Sequence, residues 1–164
     1  MLRILNITAP DINNGNGIRV TLWVAGCTHH CKGCHNQWTW NHNQGRIFKE
    51  NKIDIAKELD EWLRRDYVQG LTLSGGDPLC QDKEAILEEI EIVKWVRANY
   101  PEKDIWIYTG YYYCDLPQNS LKKELCDMCD AIVEGPYVEE LRDIAHTPFR
   151  GSTNQNIIFK KTQK

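Results

Sequence analysis

Three cysteines stand close together in a polar stretch of this sequence, and they are the residues best suited to chemistry. Cys27, Cys31 and Cys34 follow the spacing Cys-x-x-x-Cys-x-x-Cys. Thiolates at this spacing can converge on one inorganic centre. An iron–sulfur cube of four irons is commonly held by four cysteines, so three ligands leave one iron with an open position. The spacing therefore favours a [4Fe-4S] cluster whose free corner can bind a substrate or a cofactor.

Spacing alone leaves two other interpretations of this triad open. A Cys3His zinc site would take its nitrogen ligand from His35 or from the more distant His42. Cys34 and His35 are sequence neighbours, which makes simultaneous tetrahedral ligation awkward, and no second Cys-x-x-Cys pair stands at the usual distance. The cysteines could also be small buried hydrophobic residues without a ligand.

The other cysteines do not suggest disulfides. The chain has seven cysteines, and an odd number without a secretion signal is typical of a reducing compartment. Cys126 and Cys129 lie at the end of a predicted helix with an apolar face, so we expect core residues there, with a metal role as the alternative. Cys80 and Cys114 stand alone.

Length and charge exclude several classes of protein. With 164 residues, the chain has room for a single domain, 1–164, but not for a complete eight-stranded barrel, which needs about 200 residues. Its 20 basic and 23 acidic residues give a net charge of −3, which argues against nucleic acid as a partner. We interpret the last basic residues, Lys160, Lys161 and Lys164, as a solvated tail. Without a long apolar run, no membrane span is expected, and we expect a cytoplasmic location.

Strand and helix patterns alternate along the chain. Alternating apolar residues predict a strand over 18–24 that runs directly into Gly26 and Cys27. Further strands are predicted over 71–73, 105–108, 131–133 and 157–159. Helical spacing predicts helices over 55–63 with Asn51 or Asp54 as the cap, around 86–93 ending before Pro101, and over 120–128.

This alternation predicts right-handed βαβ units and a mostly parallel sheet. We therefore expect an α/β fold in which five or six strands form a partial, open β/α barrel. Such sheets place their sites at the C-terminal ends of the strands.

The predicted strand over 71–73 ends in Ser-Gly-Gly-Asp-Pro, residues 74–78. Glycines let the backbone approach a ligand closely, and free carbonyls at a strand end can accept hydrogen bonds from an ammonium group. Pro78 stiffens the exit from this turn. The alternative interpretation is a tight turn that only starts a helix.

Several segments together resemble one enzyme superfamily. Residues 27–36 (Cys-Thr-His-His-Cys-Lys-Gly-Cys-His-Asn) resemble the signature of the radical S-adenosylmethionine enzymes, with the Cys-His-Asn ending of the activases of glycyl-radical enzymes. Residues 74–78 resemble the superfamily's Gly-Gly-Glu-Pro segment, although Asp77 stands where glutamate is usual. Residues 14–19 resemble the glycine-containing entry to the first strand. Residues 149–155 (Phe-Arg-Gly-Ser-Thr-Asn-Gln) resemble a segment of the branch that activates anaerobic ribonucleoside-triphosphate reductase.

This resemblance covers nearly the whole chain and implies a radical-SAM-type fold and function. The implied enzyme is an oxidoreductase that uses a [4Fe-4S] cluster to cleave S-adenosylmethionine. The products are methionine and a 5'-deoxyadenosyl radical, which removes hydrogen from a glycine of the reductase's large subunit. A flavodoxin-type protein is the implied electron donor, and no acid–base pair is needed.

The resemblance also implies site residues. The cluster ligands are Cys27, Cys31 and Cys34. The implied contacts to S-adenosylmethionine are Gly33, Cys34, His35, Gly75, Gly76 and Asp77. The alternatives are an activase of another glycyl-radical enzyme such as pyruvate formate-lyase, a small-molecule enzyme such as a carboxy-deazaguanine synthase, or a zinc-stabilised binding module without catalysis.

Other residues near these motifs receive simpler interpretations. We expect His29 and His30 to be exposed residues of the cysteine loop. Trp38 and Trp40 follow that loop and are expected to shield it from solvent. Residues 111–113, three tyrosines, either line a cofactor pocket or cover its rim. Residues 150–155 are expected to serve local architecture or partner docking.

Overall fold

A computed structural model describes residues 1–160 and shows an α/β fold with one open sheet. The strands are β1 Arg3–Asp11, β2 Ile18–Val24, β3 Arg46–Ile47, β4 Val68–Gly75, β5 Asp104–Tyr108, β6 Ala131–Glu134 and β7 Asn156–Phe159. The helices are α1 Phe48–Leu63, α2 Lys83–Asn99 and α3 Leu121–Asp127, and short 3-10 helices cover Gln37–Thr39, Tyr113–Asp115 and Glu139–Leu141.

The seven strands are ordered β3-β1-β2-β4-β5-β6-β7. The four central strands β2, β4, β5 and β6 are parallel, whereas β1, β3 and β7 are antiparallel to their neighbours. The expected α/β class and open sheet are thus confirmed, and the parallel pairing is confirmed for the centre of the sheet. The radical-SAM-type barrel stays a prediction.

The predicted number of strands was wrong because β1 and β3 were missed. Pro10 interrupts β1, its inward and outward residues do not alternate regularly, and its register with β2 shifts. β3 is only two residues long. The five predicted strands are present, and β2 has the predicted bounds.

The helices lie where their periodicity predicted them, but α1 starts earlier. The caps proposed for this helix, Asn51 and Asp54, were wrong because Phe48 is buried and its N–H donates to the Leu2 carbonyl at 2.9 Å. Ile47 is the N-cap, and the backbone kinks at Asn51. α2 ends before Pro101 as expected, and Ser120 caps α3 by accepting from the N–H of Lys123 at 3.2 Å.

A buried arginine connects the central strands. Arg19 of β2 is completely buried, and its Nη1 lies 2.7 Å from Oδ1 of Asp104 on β5. Its Nε donates to Oγ1 of Thr72 on β4 at 2.7 Å, and the guanidinium lies over the ring of Trp106. A buried charge needs such partners, so this side chain fixes β2, β4 and β5 relative to one another.

Two expectations concern residues away from the predicted site, the cysteines at 126 and 129 and the lysines near the end of the chain. Cys126 and Cys129 are buried in the core, as expected. Lys160 is not solvated, since its ammonium group contacts Asp127 and Tyr113, whereas Lys161 and Lys164 lie outside the described residues. Within residues 1–160, no helix combines the length and the apolar composition that crossing a membrane requires.

The first prediction concerns Glu89 of α2. This side chain is completely buried, and neither carboxylate oxygen has a hydrogen-bond partner within residues 1–160. Burial raises the pKa of the Glu89 carboxyl well above its usual range. The folded state then holds a proton that the unfolded state has lost, so stability falls as the pH rises above the unfolded pKa. We expect E89Q to raise the free energy of unfolding at pH 8 by roughly 1–3 kcal/mol.

The gain should shrink toward zero as the pH is lowered to about 4, where both states carry the proton. Urea denaturation at the two pH values measures it. E91Q, at an exposed position of the same helix, is the control and should change stability by less than about 0.5 kcal/mol. A difference between E89Q and the wild type that is independent of pH would contradict the prediction.

Candidate functional site

A cleft of about 590 Å³ opens at the C-terminal ends of the four parallel strands. Each strand contributes the residue or turn that follows it, because parallel strands end at the same edge of the sheet. Cys27 follows β2, Gly76 and Asp77 follow β4, Thr109 follows β5, and Gly135 follows β6, and all of them line the cleft.

The cysteine loop forms one wall of the cleft. Cys27 is buried at the end of β2, whereas Cys31 and Cys34 are half-buried, and all three line the cleft. The N–H of Gly26 donates to the Thr39 carbonyl at 2.7 Å, which fixes the start of the loop against the segment that follows it. The structure therefore brings the three predicted ligands to one surface.

The described metal-ligating side chains that lie closest together are not the three motif cysteines. Ligands of one tetrahedral zinc ion, with Zn–S distances of about 2.3 Å, place their sulfurs about 4 Å apart. Within residues 1–160, the donors that all approach one another within 4.8 Å belong to His29, Asp77 and Cys80 and not to the three motif cysteines. Cys27, Cys31 and Cys34 are not members of this close group.

The two histidines proposed as zinc ligands lie in different places. His42 hydrogen-bonds through Nε2 with the Cys80 carbonyl, 3.1 Å away, and does not line the cleft. His35 does line the cleft, but it is exposed and its ring lies 5.5 Å from that of Tyr137. Gly33 lies against Glu139, outside the cleft lining.

The turn after β4 approaches the cysteine loop through its backbone. Gly75 has a φ of +117°, and a Cβ there would lie 2.5 Å from the Val24 carbonyl oxygen, so only glycine fits. The N–H of Gly76 donates to the Val24 carbonyl at 2.9 Å, and the N–H of Asp77 donates to the Gly26 carbonyl at 2.8 Å. These bonds place the turn beside the loop that carries Cys27.

The Asp77 carboxylate lies inside the protein and connects three segments. It is 2% exposed and accepts hydrogen bonds from the N–H of Leu79 at 2.7 Å, the N–H of Gly110 at 2.8 Å and the Thr109 hydroxyl at 3.1 Å. His29 Nε2 lies 2.8 Å from its Oδ2. Because the carboxylate is fully engaged in the protein, this turn presents its backbone to the cleft.

The interpretation of His29 as an exposed loop residue was wrong. This histidine is half-buried, and its hydrogen bond to Asp77 raises the pKa of His29 to about 10. No pattern within the cysteine loop distinguishes it from His30, which is exposed as expected. Only the fold brings Asp77 to one of the two histidines.

Residues 149–155 complete the opposite wall. The Gln155 side chain accepts from the N–H groups of Gly151 and Ser152 at 2.8 and 3.2 Å and donates to the Gly135 carbonyl at 2.9 Å. Asn154 donates to the Pro136 carbonyl at 2.8 Å. These bonds fasten the segment to the end of β6, in agreement with the expected architectural role.

Arg150 lines the cleft, although its sequence context predicted no cofactor contact. Phe149 before it has a φ of +61°, an unusual conformation for a non-glycine residue, and the Phe149 carbonyl accepts a hydrogen bond from Tyr108 at 2.8 Å. Arg150 Nη1 donates to the Gln155 carbonyl at 3.0 Å, but its buried Nε has no partner within residues 1–160. Among the cleft-lining residues described, Arg150 is the only lysine or arginine.

The aromatic residues near the site divide between the cleft and its surroundings. Trp40 lines the cleft, as the shielding interpretation expected, but Trp38 is 52% exposed and packs on Trp23 instead. The tyrosines at 111–113 do not line the cleft, whereas Tyr137, which the sequence analysis did not single out, does.

Comparison with known proteins agrees with this geometry. Residues 13–158 match the family described as 4Fe-4S single cluster domain. The chain is 44% identical over 148 residues to the anaerobic ribonucleoside-triphosphate reductase-activating protein of Enterobacteria phage T4. The aligned region covers 90% of this chain and 87% of that protein. It is 39% identical over 155 residues to the protein of that name from Pasteurella multocida, with coverage of 93% and 94%.

The protein of the same name from Escherichia coli K12 is 40% identical over 147 residues, with coverage of 88% and 90%. This chain belongs to the family of anaerobic ribonucleoside-triphosphate reductase-activating proteins. The matched 4Fe-4S domain spans all the predicted site residues and the whole segment 149–155.

The second prediction concerns the role of Asp77 in this family member. D77A leaves the donors of Gly110, Leu79 and Thr109 without their buried acceptor, and each such loss costs about 1–3 kcal/mol. We expect the free energy of unfolding to fall by at least about 2 kcal/mol, and amide hydrogen exchange at Gly110 to accelerate. Urea denaturation and exchange mass spectrometry measure the two effects.

D115A, at an exposed position, is the control and should leave both quantities nearly unchanged. Normal stability and normal exchange at Gly110 in D77A would show that Asp77 does not hold these loops together.

Proposed function

We propose that this protein activates an anaerobic ribonucleoside-triphosphate reductase by generating a radical on a glycine of its large subunit. The observation that carries the proposal is the convergence of Cys27, Cys31 and Cys34 on one cleft, facing the glycine turn at the end of β4. Family membership supports the choice of partner, because the relatives are named as activating proteins of this reductase.

The cysteines fit the group that the family implies. Thiolates are the usual ligands of iron–sulfur clusters, and three of them leave one iron free. The N–H of Asn36 lies 3.4 Å from Sγ of Cys34, and hydrogen bonds to ligand sulfurs tune the reduction potential of clusters. We assign cluster ligation to Cys27, Cys31 and Cys34. When bound, a [4Fe-4S] cluster supplies the electron that cleaves S-adenosylmethionine into methionine and the 5'-deoxyadenosyl radical, which takes the glycine hydrogen.

The backbone at the end of β4 is suited to hold the methionine part of S-adenosylmethionine. Gly75 and Gly76 bring the main chain to the cleft without side chains, and carbonyls at a strand end accept hydrogen bonds from an ammonium group. Asp77 contributes through its main chain and by positioning its neighbours, since its carboxylate is engaged in the protein. This arrangement explains how aspartate can stand where the superfamily usually has glutamate.

The remaining cofactor contacts lie on the other walls of the cleft. Cys34 and His35 line the cleft and are assigned to the adenosyl part. Gly33, which lies outside the cleft lining, stays a predicted contact to the same part. Arg150 offers a guanidinium whose buried Nε has no partner among the described residues, and this group complements the carboxylate of S-adenosylmethionine. Trp40 excludes water from one side of the cleft, where a reactive radical must be protected from solvent.

The rest of the assignment follows the resemblance of the sequence. We propose that 1–164 is a single radical-SAM domain, that the fold is a partial barrel of that type, and that a flavodoxin-type protein donates the electron in the cytoplasm. The protein's own part is binding, orientation and exclusion of water, because the cofactors carry the difficult chemistry.

The third prediction tests the proposed function directly. Anaerobically reconstituted protein, reduced and mixed with S-adenosylmethionine and the reductase's large subunit, should produce a glycine-centred paramagnetic signal. C27S, C31S and C34S should each lose most of the iron and sulfide and all of this signal, whereas C114S, at an exposed cysteine outside the cleft, should retain both.

Two results would contradict the proposal. One zinc and no sulfide per chain would favour the binding-module alternative. A radical on pyruvate formate-lyase but none on the reductase would show that the partner is wrong.

The fourth prediction concerns Arg150. R150Q removes the guanidinium from the cleft, and a charge-assisted hydrogen bond contributes about 1.5–3 kcal/mol. We expect the Kd of S-adenosylmethionine for the cluster-loaded protein to rise at least about tenfold. Equilibrium dialysis measures this Kd, and R142Q, at an exposed arginine outside the cleft, is the matched control. Equal affinity of R150Q and R142Q would refute the contact.

A further inference from the structure

Cys80 is a half-buried cysteine to which the proposed function gives no role. It follows the turn after β4, and its N–H donates to the Asp77 carbonyl at 2.9 Å, within the turn that is hydrogen-bonded to the residue before Cys27. Its Sγ is 3.4 Å from Oγ1 of Thr28 and 4.0 Å from the hydroxyl of Tyr111. Cys27 therefore has a fourth cysteine beside it, one that lies outside the Cys-x-x-x-Cys-x-x-Cys motif.

The proximity of these two thiols is built into the backbone. The N–H of Asp77 donates to the carbonyl of Gly26, the residue before Cys27, at 2.8 Å. The Gln81 side chain, next to Cys80, donates to the Ala25 carbonyl at 2.9 Å and to the Gly26 carbonyl at 3.3 Å. The segments that carry the two sulfurs are thus joined by several hydrogen bonds on both sides of the pair.

We propose that Cys27 and Cys80 form a reversible disulfide when the protein is without its cluster. The oxidant is a low-molecular-weight disulfide. Cys80, the more accessible of the two, loses its proton and attacks one sulfur of the oxidant, which releases one thiolate and leaves a mixed disulfide on Cys80. Cys27 then loses its proton and attacks Sγ of Cys80, which releases the second thiolate.

In the complete exchange, two cysteine thiols lose two electrons and two protons, and the oxidant is reduced to two thiols, which take up the protons. A dithiol reductant reverses the exchange. The other cysteines outside the motif are poor partners, because Cys126 and Cys129 are buried in the core and Cys114 is exposed outside the cleft.

The proposed disulfide affects Cys27, which we assign as a cluster ligand. A disulfide keeps Cys27 from oxidation to sulfinic acid, which is irreversible without a dedicated enzyme, and occupies a ligand until reductant returns. This consequence rests on the proposed function, whereas the disulfide itself rests on the contacts that hold the Cys80 segment against the residues on both sides of Cys27.

The fifth prediction tests the disulfide on the full-length, cluster-free protein. The protein is incubated with oxidised glutathione, alkylated, digested without reduction and analysed by mass spectrometry. We expect a cross-linked peptide pair joining Cys27 to Cys80 in the wild type and in C114S, but not in C80S. In the cluster-loaded wild type, Cys80 should instead be alkylated.

A second measurement follows recovery after peroxide treatment of the cluster-free protein. After reduction with dithiothreitol and reconstitution, C80S should regain several-fold less iron than the wild type and C114S, with Cys27 found as sulfinic acid. Before peroxide, all three proteins should load the same amount of iron. If none loads iron, the proposed function fails, while the peptide analysis still decides the disulfide. Alkylated Cys80 after oxidation, or Cys27 joined to Cys31 or Cys34, would overturn the inference.

Discussion

The site depends on the contact between the ends of two parallel strands, β2 and β4. Val24 pairs with Gly75 in the sheet, and beyond that pair the chain continues the contact through the bond from Asp77 to the Gly26 carbonyl. The sheet ladder therefore extends into the loops that carry the chemistry. A Cβ at Gly75 or Gly76 would overlap this backbone, so the close approach and the two glycines require each other.

Asp77 extends the same constraint to a third strand. Burying a carboxylate is costly unless donors surround it, and here the donors come from the cysteine loop, from its own turn and from the residues after β5. The carboxylate can lie in this position only when all three segments have converged. Its role is to assemble the cleft, so the short side chain of aspartate, which keeps the charge close to the backbone, suits the position.

Local sequence signals predicted the parts of this arrangement that depend on periodicity. The alternation over 18–24 and the buried runs of the other parallel strands located the centre of the sheet, because strands there are covered on both faces. The antiparallel β1 was missed since Pro10 and a shifted register hide its period. The same alternation could not predict that Arg19 is buried, because its partners lie on two other strands.

The functional site also combines features that the local sequence predicts with features that only the fold creates. The three cysteines and the glycine turn were predictable because each motif is contiguous in the chain. His29 and the proximity of Cys27 and Cys80 were not predictable, because each depends on a contact between segments that are distant in sequence. The position of Arg150 in the cleft was not predictable either, because the other walls of the cleft come from distant parts of the chain. In a parallel sheet, such contacts lie at the carboxyl ends of the strands, where residues from separate βα units meet.

The shape of the cleft bears on the size of the substrate. Ile12 and Ile144 both line the cleft and are 67% and 56% exposed. An enclosed pocket with an apolar interior would bury such residues, whereas a cleft that must admit the backbone of another protein has to stay open. The proposed function needs a segment with a glycine to reach the cofactor, and a partner that covers these isoleucines would exclude water from the cleft at the same time. The protein substrate would then complete the site on which it is modified.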